Sequence, residues 1–175
     1  MKFHLYEVSI QREGHTVRGH IIAPSQDRAA LFVFEHDEAL GLTHDDFSLE
    51  RVDQKLDESR QLGLDMLLRS APVGFASFCD IGWIAHTAPV QQLRLYRTTD
   101  SKGGCLFAVA PNIDIAASVF TSALRIPLGS SMMLCISDGA ADLPDNLVCN
   151  LPRLLEFGPI GIVAFDADEE RWSLA

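Results

Sequence analysis

The side chains best suited to chemistry stand close together, His36-Asp37-Glu38 followed by His44-Asp45-Asp46. Imidazole and carboxylate are donors for zinc, manganese or iron, and a bound metal lowers the pKa of its water enough for hydrolysis. His36, His44, Asp45 and Asp46 are therefore the candidate ligands of a divalent metal, and no other cofactor is expected. The two histidines are eight apart with Gly41 between them, so nothing resembling H-E-x-x-H places them on one helical face. The competing reading is a solvated helix turn over Glu35 to Glu38 and a polar loop over Thr43 to Asp46.

A second set of candidates is a ligand-binding one. If Glu13-Gly14 is the centre of a hairpin turn, His20 lies opposite Glu7, and such a pair serves either as acid and base or as a cross-strand hydrogen bond. Trp83 and Trp172 offer rings for stacking a ligand or for burying area where lobes meet. Ser130-Ser131 after Gly129 and the loop Ser137 to Asp142 match neither a G-x-S-x-G elbow nor a phosphate-binding glycine loop. Gly103-Gly104-Cys105 could expose a thiol, but a Cys-His pair there needs a histidine supplied from the other half of the chain.

The elements that must position these residues are written twice. Residues 21–34 return 87 positions later as residues 108–121, with Ala23, Pro24, Asp27, Ala29 and Ala30 becoming Ala110, Pro111, Asp114, Ala116 and Ala117. The same offset carries Leu67-Leu68, Pro72, Gly74 and Phe78 onto Leu154-Leu155, Pro159, Gly161 and Phe165. Such a correspondence at both ends of a copy implies an internal duplication, with copies over residues 1–88 and 89–175, as two lobes or one compact domain. Each copy predicts a hairpin (Lys2 to Ile10 and Thr16 to Ala23; Gln92 to Thr99 and Cys105 to Ala110) and then a helix. Ser25 or Asn112 starts that helix, with Asp27 or Asp114 in its first turn. A strand follows (Phe47 to Asp53; Met132 to Ser137), then a second helix (Glu58 to Ser70; from near Asn150), then a closing hairpin ending in Trp83 or Trp172. The expected fold is therefore α+β, a doubled ββαβαββ unit whose two lobes pack as a pseudo-dimer.

The copies differ in their polar residues. All six histidines fall in copy one, where His20 takes the register of Phe107 and His36 that of Ala123. Shared residues hold a fold; unshared polar residues are where a function is added.

Composition narrows the function classes. Net charge is −10, and both copies are acidic, with 8 basic against 14 acidic residues up to Ala88 and 6 against 10 afterwards. That disfavours nucleic acid and leaves open a protein partner of basic character or a small molecule. No apolar run is long enough for a bilayer and the N-terminus carries no apolar signal stretch, so the expected location is cytoplasmic, without a membrane partner. The four cysteines are far apart and read as reduced, buried thiols. The leading expectation is a non-enzymatic, acidic protein-binding module, either a monomer with pseudo-twofold symmetry or a homodimer. The alternatives are a small metal-assisted hydrolase using the copy-one histidines and carboxylates, and a small-molecule binder at the inter-lobe cleft.

Overall fold

A computed structural model describes residues 2–89, 91–99, 104–124, 133–135, 143, 145–148, 151–168 and 171–175. The serines at 130 and 131, Gly103 and the 137–142 loop lie outside the described residues. The chain is α+β and divides into two units, Met1–Val90 and Gln91–Ala175.

Unit 1 begins with β1 (His4–Arg12) and β2 (His15–Ala23), paired antiparallel about a turn in which Gly14 takes φ +81°. Alternation along β1 places Tyr6, Val8, Ile10 and Arg12 on one face of the sheet, all buried, and Leu5, Glu7, Ser9 and Gln11 on the other. Helix α1 (Gln26–Leu40) covers the first face, where Phe32 and His36 both meet Phe75 edge-on at 5.0 Å. Its start follows the sequence expectation, because Ser25 Oγ accepts the Arg28 N–H at 3.2 Å and Asp27 stands in the first turn. Strand β3 (Asp46–Arg51) then joins the outer edge of β1, and β4 (Gly74–Cys79) and β5 (Gly82–His86) extend the sheet from β2, giving the order β3-β1-β2-β4-β5.

The second helix is broken rather than continuous from Glu58 to Ser70. A 3₁₀ turn over Glu58–Gln61 is separated from α2 (Leu64–Ser70) by Gly63, whose φ of +75° lies outside the right-handed helical region. Leu64 and Leu67 of α2 join Leu5, Ile22, Val52, Ala76 and Trp83 in a core on the sheet face opposite α1. Burying each large apolar side chain contributes about 1.5–3 kcal/mol. The break also lets the backbone at Leu62 reach the β4–β5 turn, where Trp83 N–H donates to the Leu62 carbonyl at 3.3 Å. Gly82 makes that approach, with φ +104° and room for no Cβ, which would stand 2.7 Å from Leu62 O. Gly82→Ala is therefore expected to destabilise unit 1 by about 2–3 kcal/mol. The urea midpoint falls at unchanged m-value if this is right.

Unit 2 runs β6 (Arg94–Thr99), β7 (Cys105–Ala110), α3 (Ile113–Leu124), β8 (Met133–Cys135), α4 (Asp145–Val148), α5 (Leu151–Phe157), β9 (Gly161–Asp166) and β10 (Arg171–Leu174), with sheet order β10-β9-β7-β6-β8. Tyr96, Ala108, Ala110, Ala116 and Phe120 form the core under α3. Leu95, Val109, Leu151, Leu154, Val163 and Trp172 form the core on the other face. No helix of the described residues is long and apolar enough to cross a membrane. Cys79 is a buried free thiol as expected; Cys105 is also free but exposed, because it opens β7 at the rim of its sheet.

Candidate functional site

The densest polar constellation of unit 1 is assembled at the C-terminal end of α1. The stripe of α1 that faces the sheet runs Ala29, Val33, His36, Asp37, so its last turn carries a buried carboxylate towards β1. Arg12 continues the buried face of β1 after Tyr6, Val8 and Ile10, and its guanidinium meets that carboxylate in a bidentate pair, 2.9 Å from Nη1 to Oδ2 and 2.5 Å from Nη2 to Oδ1. Helix α1 stops at Gly41, φ +63°, where the Leu42 N–H bonds back to the Asp37 carbonyl at 2.9 Å. The chain is thereby turned onto β1: Arg12 Nη1 also donates to the Thr43 carbonyl at 2.7 Å, and the Asp45 N–H to the Gln11 carbonyl at 3.1 Å.

This return places the His44 ring beside Asp37, with Nδ1 at 2.6 Å from Oδ2. Burial pushes the Asp37 carboxyl upward, but hydrogen bonds and charge from Arg12 and His44 outweigh it and hold the group below its ordinary range. An ionised carboxylate only accepts, so Nδ1 carries the proton that faces Asp37. An imidazole oriented in this way by a carboxylate suits general-base chemistry or metal ligation. The ring packs against Phe34 at 5.5 Å and Phe47 at 5.3 Å.

The other expected ligands make different contacts. His36 is 2% exposed and packs edge-on against Phe75 under α1, where burial lowers its pKa to about 4, with Asp37 opposing and Arg12 adding to the shift. Asp45 is exposed, and Asp46 Oδ1 accepts the Phe47 N–H at 2.8 Å. Among the described residues, none of His44, Asp45 and Asp46 belongs to a group of three or more ligand atoms within 4.8 Å of one another.

Three of the ligand-binding candidates do come together. Glu7 and His20 are register partners across β1 and β2, with His20 Nε2 at 3.9 Å from Glu7 Oε2, and the His20 ring stands edge-on to Trp83 at 5.0 Å. Trp83 is 5% exposed and donates its indole N–H to the Arg60 carbonyl at 2.7 Å. Trp172 occupies the other unit, 8% exposed, donating to the Leu147 carbonyl at 2.9 Å and packing against Phe107 and Phe165. Each indole thus ties a closing hairpin to a short helical turn.

Sequence reasoning missed Arg12 and left Asp37, though within the first cluster, out of the candidate ligands; a signal existed for both, a charged residue continuing a buried β alternation and a carboxylate continuing an apolar helix stripe. It also missed Asp53, which His4 Nδ1 approaches at 3.3 Å and Arg51 grips through Nε at 2.6 Å and Nη2 at 2.9 Å. Ser77 Oγ and His86 Nε2 lie 3.0 Å apart on neighbouring strands. Burial lowers the His86 pKa to about 4 against the opposing hydrogen bond to the Thr87 backbone, and no carboxylate partner among the described residues stands ready to stabilise an imidazolium there. No family model, curated protein or solved structure matches the chain.

Proposed function

We propose that the chain is a duplicated α+β interaction protein that acts by binding a protein partner, and that its polar clusters are structural clamps. The observation that carries this reading is the Arg12–Asp37–His44 trio, in which both carboxylate oxygens and the imidazole Nδ1 are committed to one another at the end of α1. A net charge of −10 supports a basic partner.

Several pairs of features support the duplication. Ile22 pairs with Gly74 as Val109 pairs with Gly161. Asn112 Oδ1 accepts the Ile115 N–H at 3.0 Å as Ser25 Oγ accepts that of Arg28. Trp83 meets Phe78 at 5.4 Å and Trp172 meets Phe165 at 5.5 Å. Ile21 and Val33 are matched by Ala108 and Phe120, all buried, with the larger side chain on the sheet in unit 1 and on the helix in unit 2.

The test is affinity capture from an extract of the protein's own cells, using the full chain as bait. One basic partner is expected at stoichiometric yield, with retention that falls as salt rises. Recovery of no stoichiometric partner would sink the proposal. The oriented His44 imidazole favours a second reading, metal-assisted hydrolysis using the histidines and carboxylates of residues 1–88. It predicts a stoichiometric divalent metal by elemental analysis and a loss of stability in EDTA.

A further inference from the structure

We infer that the outer face of α1 and the adjoining end of β3, formed by Leu31, Phe34 and Phe47 with an acidic rim of Glu38, Asp45 and Asp46, docks an arginine- or lysine-rich segment of the partner protein. The inference rests on the interaction reading above and gives it a surface.

Leu31 and Phe34 are 50% and 52% exposed, one helical turn apart, on the side of α1 away from its buried stripe. Phe34 is extended sideways by Phe47, whose ring it meets edge-on at 5.4 Å, so the apolar surface crosses from the helix to the edge strand. The fold does not demand this. At the matching places of α3, 87 positions on, stand Ser118 and Thr121, both exposed, and α3 forms without them being apolar. Leu31 and Phe34 are therefore an addition peculiar to unit 1, as the histidines are.

Charge identifies the occupant. No lysine or arginine occurs from residue 29 to residue 50. Asp37 is neutralised by Arg12 and Glu35 is paired with Arg28, whereas Glu38, Asp45 and Asp46 are exposed and enter no ion pair among the described residues. An aromatic pair rimmed by unneutralised carboxylates complements a side chain with an apolar stem and a cationic head. The stem of an arginine or lysine lies along Leu31 and Phe34, the cation sits against a phenyl face, and the carboxylates attract the segment and hold its register.

The probe is a fluorescein-labelled peptide of alternating arginine and serine, with a glutamate-serine peptide as control, followed by anisotropy at low salt against the full chain. The arginine peptide is expected to bind and the glutamate peptide not to. The double variant L31S/F34T, which installs the residue types that α3 carries, is expected to weaken binding about tenfold. E38Q/D45N weakens it as well and flattens its salt dependence, while M66S/I81S, at exposed apolar residues elsewhere in unit 1, leaves it unchanged. All of these positions are exposed, so the variants keep the fold, as circular dichroism checks. The inference is overturned if the parent chain does not bind the arginine peptide, or if L31S/F34T binds it as tightly as the parent. Partner capture separates the two levels: retention by L31S/F34T equal to the parent's discards this surface and keeps the interaction reading, whereas no retention by either discards both.

Discussion

Arg12→Met is expected to destabilise unit 1 by about 3–5 kcal/mol, the range for removing one partner of a buried ion pair. Arg12 and Asp37 side chains are only 7% and 8% exposed, so the variant leaves a carboxylate in a poorly solvated site with His44 as its remaining hydrogen-bond partner. Two costs compete in that figure, since methionine also packs differently from an arginine stem. The double variant R12M/D37L separates them: if the cost is the orphaned charge, the apolar pair recovers most of the lost stability, and if it is packing, the double variant is no better than the single. Loss of the Arg12 bond to the Thr43 carbonyl is common to both and sets the residual deficit. The measurement is urea unfolding in a Trp172→Phe background, where fluorescence reports Trp83 and hence unit 1 alone. A single-variant loss below about 1 kcal/mol would place the trio among surface ion pairs, which contribute little.

The contrast between what was legible in the sequence and what was not follows the range of the interactions. Helix starts at Ser25 and Asn112, the strand pairing that sets Glu7 against His20, and the closing tryptophans are set by neighbours a few residues away or by a repeated pattern that displays itself twice. The break at Gly63 was hidden because glycine within an apolar helical pattern is compatible with both continuity and interruption, and the approach of Leu62 to Gly82 decides between them. The partner of His44 was hidden for a related reason. Its neighbours in sequence, Asp45 and Asp46, looked like its chemistry, but loop geometry turns the ring towards a carboxylate seven residues earlier. Asp37 lies in the middle of the first candidate cluster, and only its place on the α1 stripe distinguishes it from Glu38, which is exposed. Buried charge is legible when a periodic apolar pattern is extended by an ionisable residue, and here it was extended twice, by Arg12 and by Asp37.

Acidification is expected to weaken unit 1 before Asp37 and Asp53 titrate. Burial holds His36 and His86 neutral in the folded chain, each with its pKa lowered to about 4 from the ordinary 6.5. Between pH 6.5 and 4 the unfolded chain takes up protons at these two positions and the folded chain does not. Stability therefore falls as pH falls through this window, by about 1.4 kcal/mol per pH unit for each histidine fully within it. For His36, packed against Phe75 under α1, the whole window amounts to about 3 kcal/mol. His86, with the same lowered value, acts over the same window. Asp37 and Asp53 have depressed pKa values and act later, because the unfolded chain protonates them only near 3.8 and their stabilisation is lost below that. The result expected is a first decline in urea-unfolding free energy from pH 6.5 to 4 and a steeper one beneath it. His36→Leu should flatten the first decline by about half, and H36L/H86Q should abolish it while leaving the second. A first decline that survives in the double variant would assign it to other groups and remove the two buried histidines as its cause.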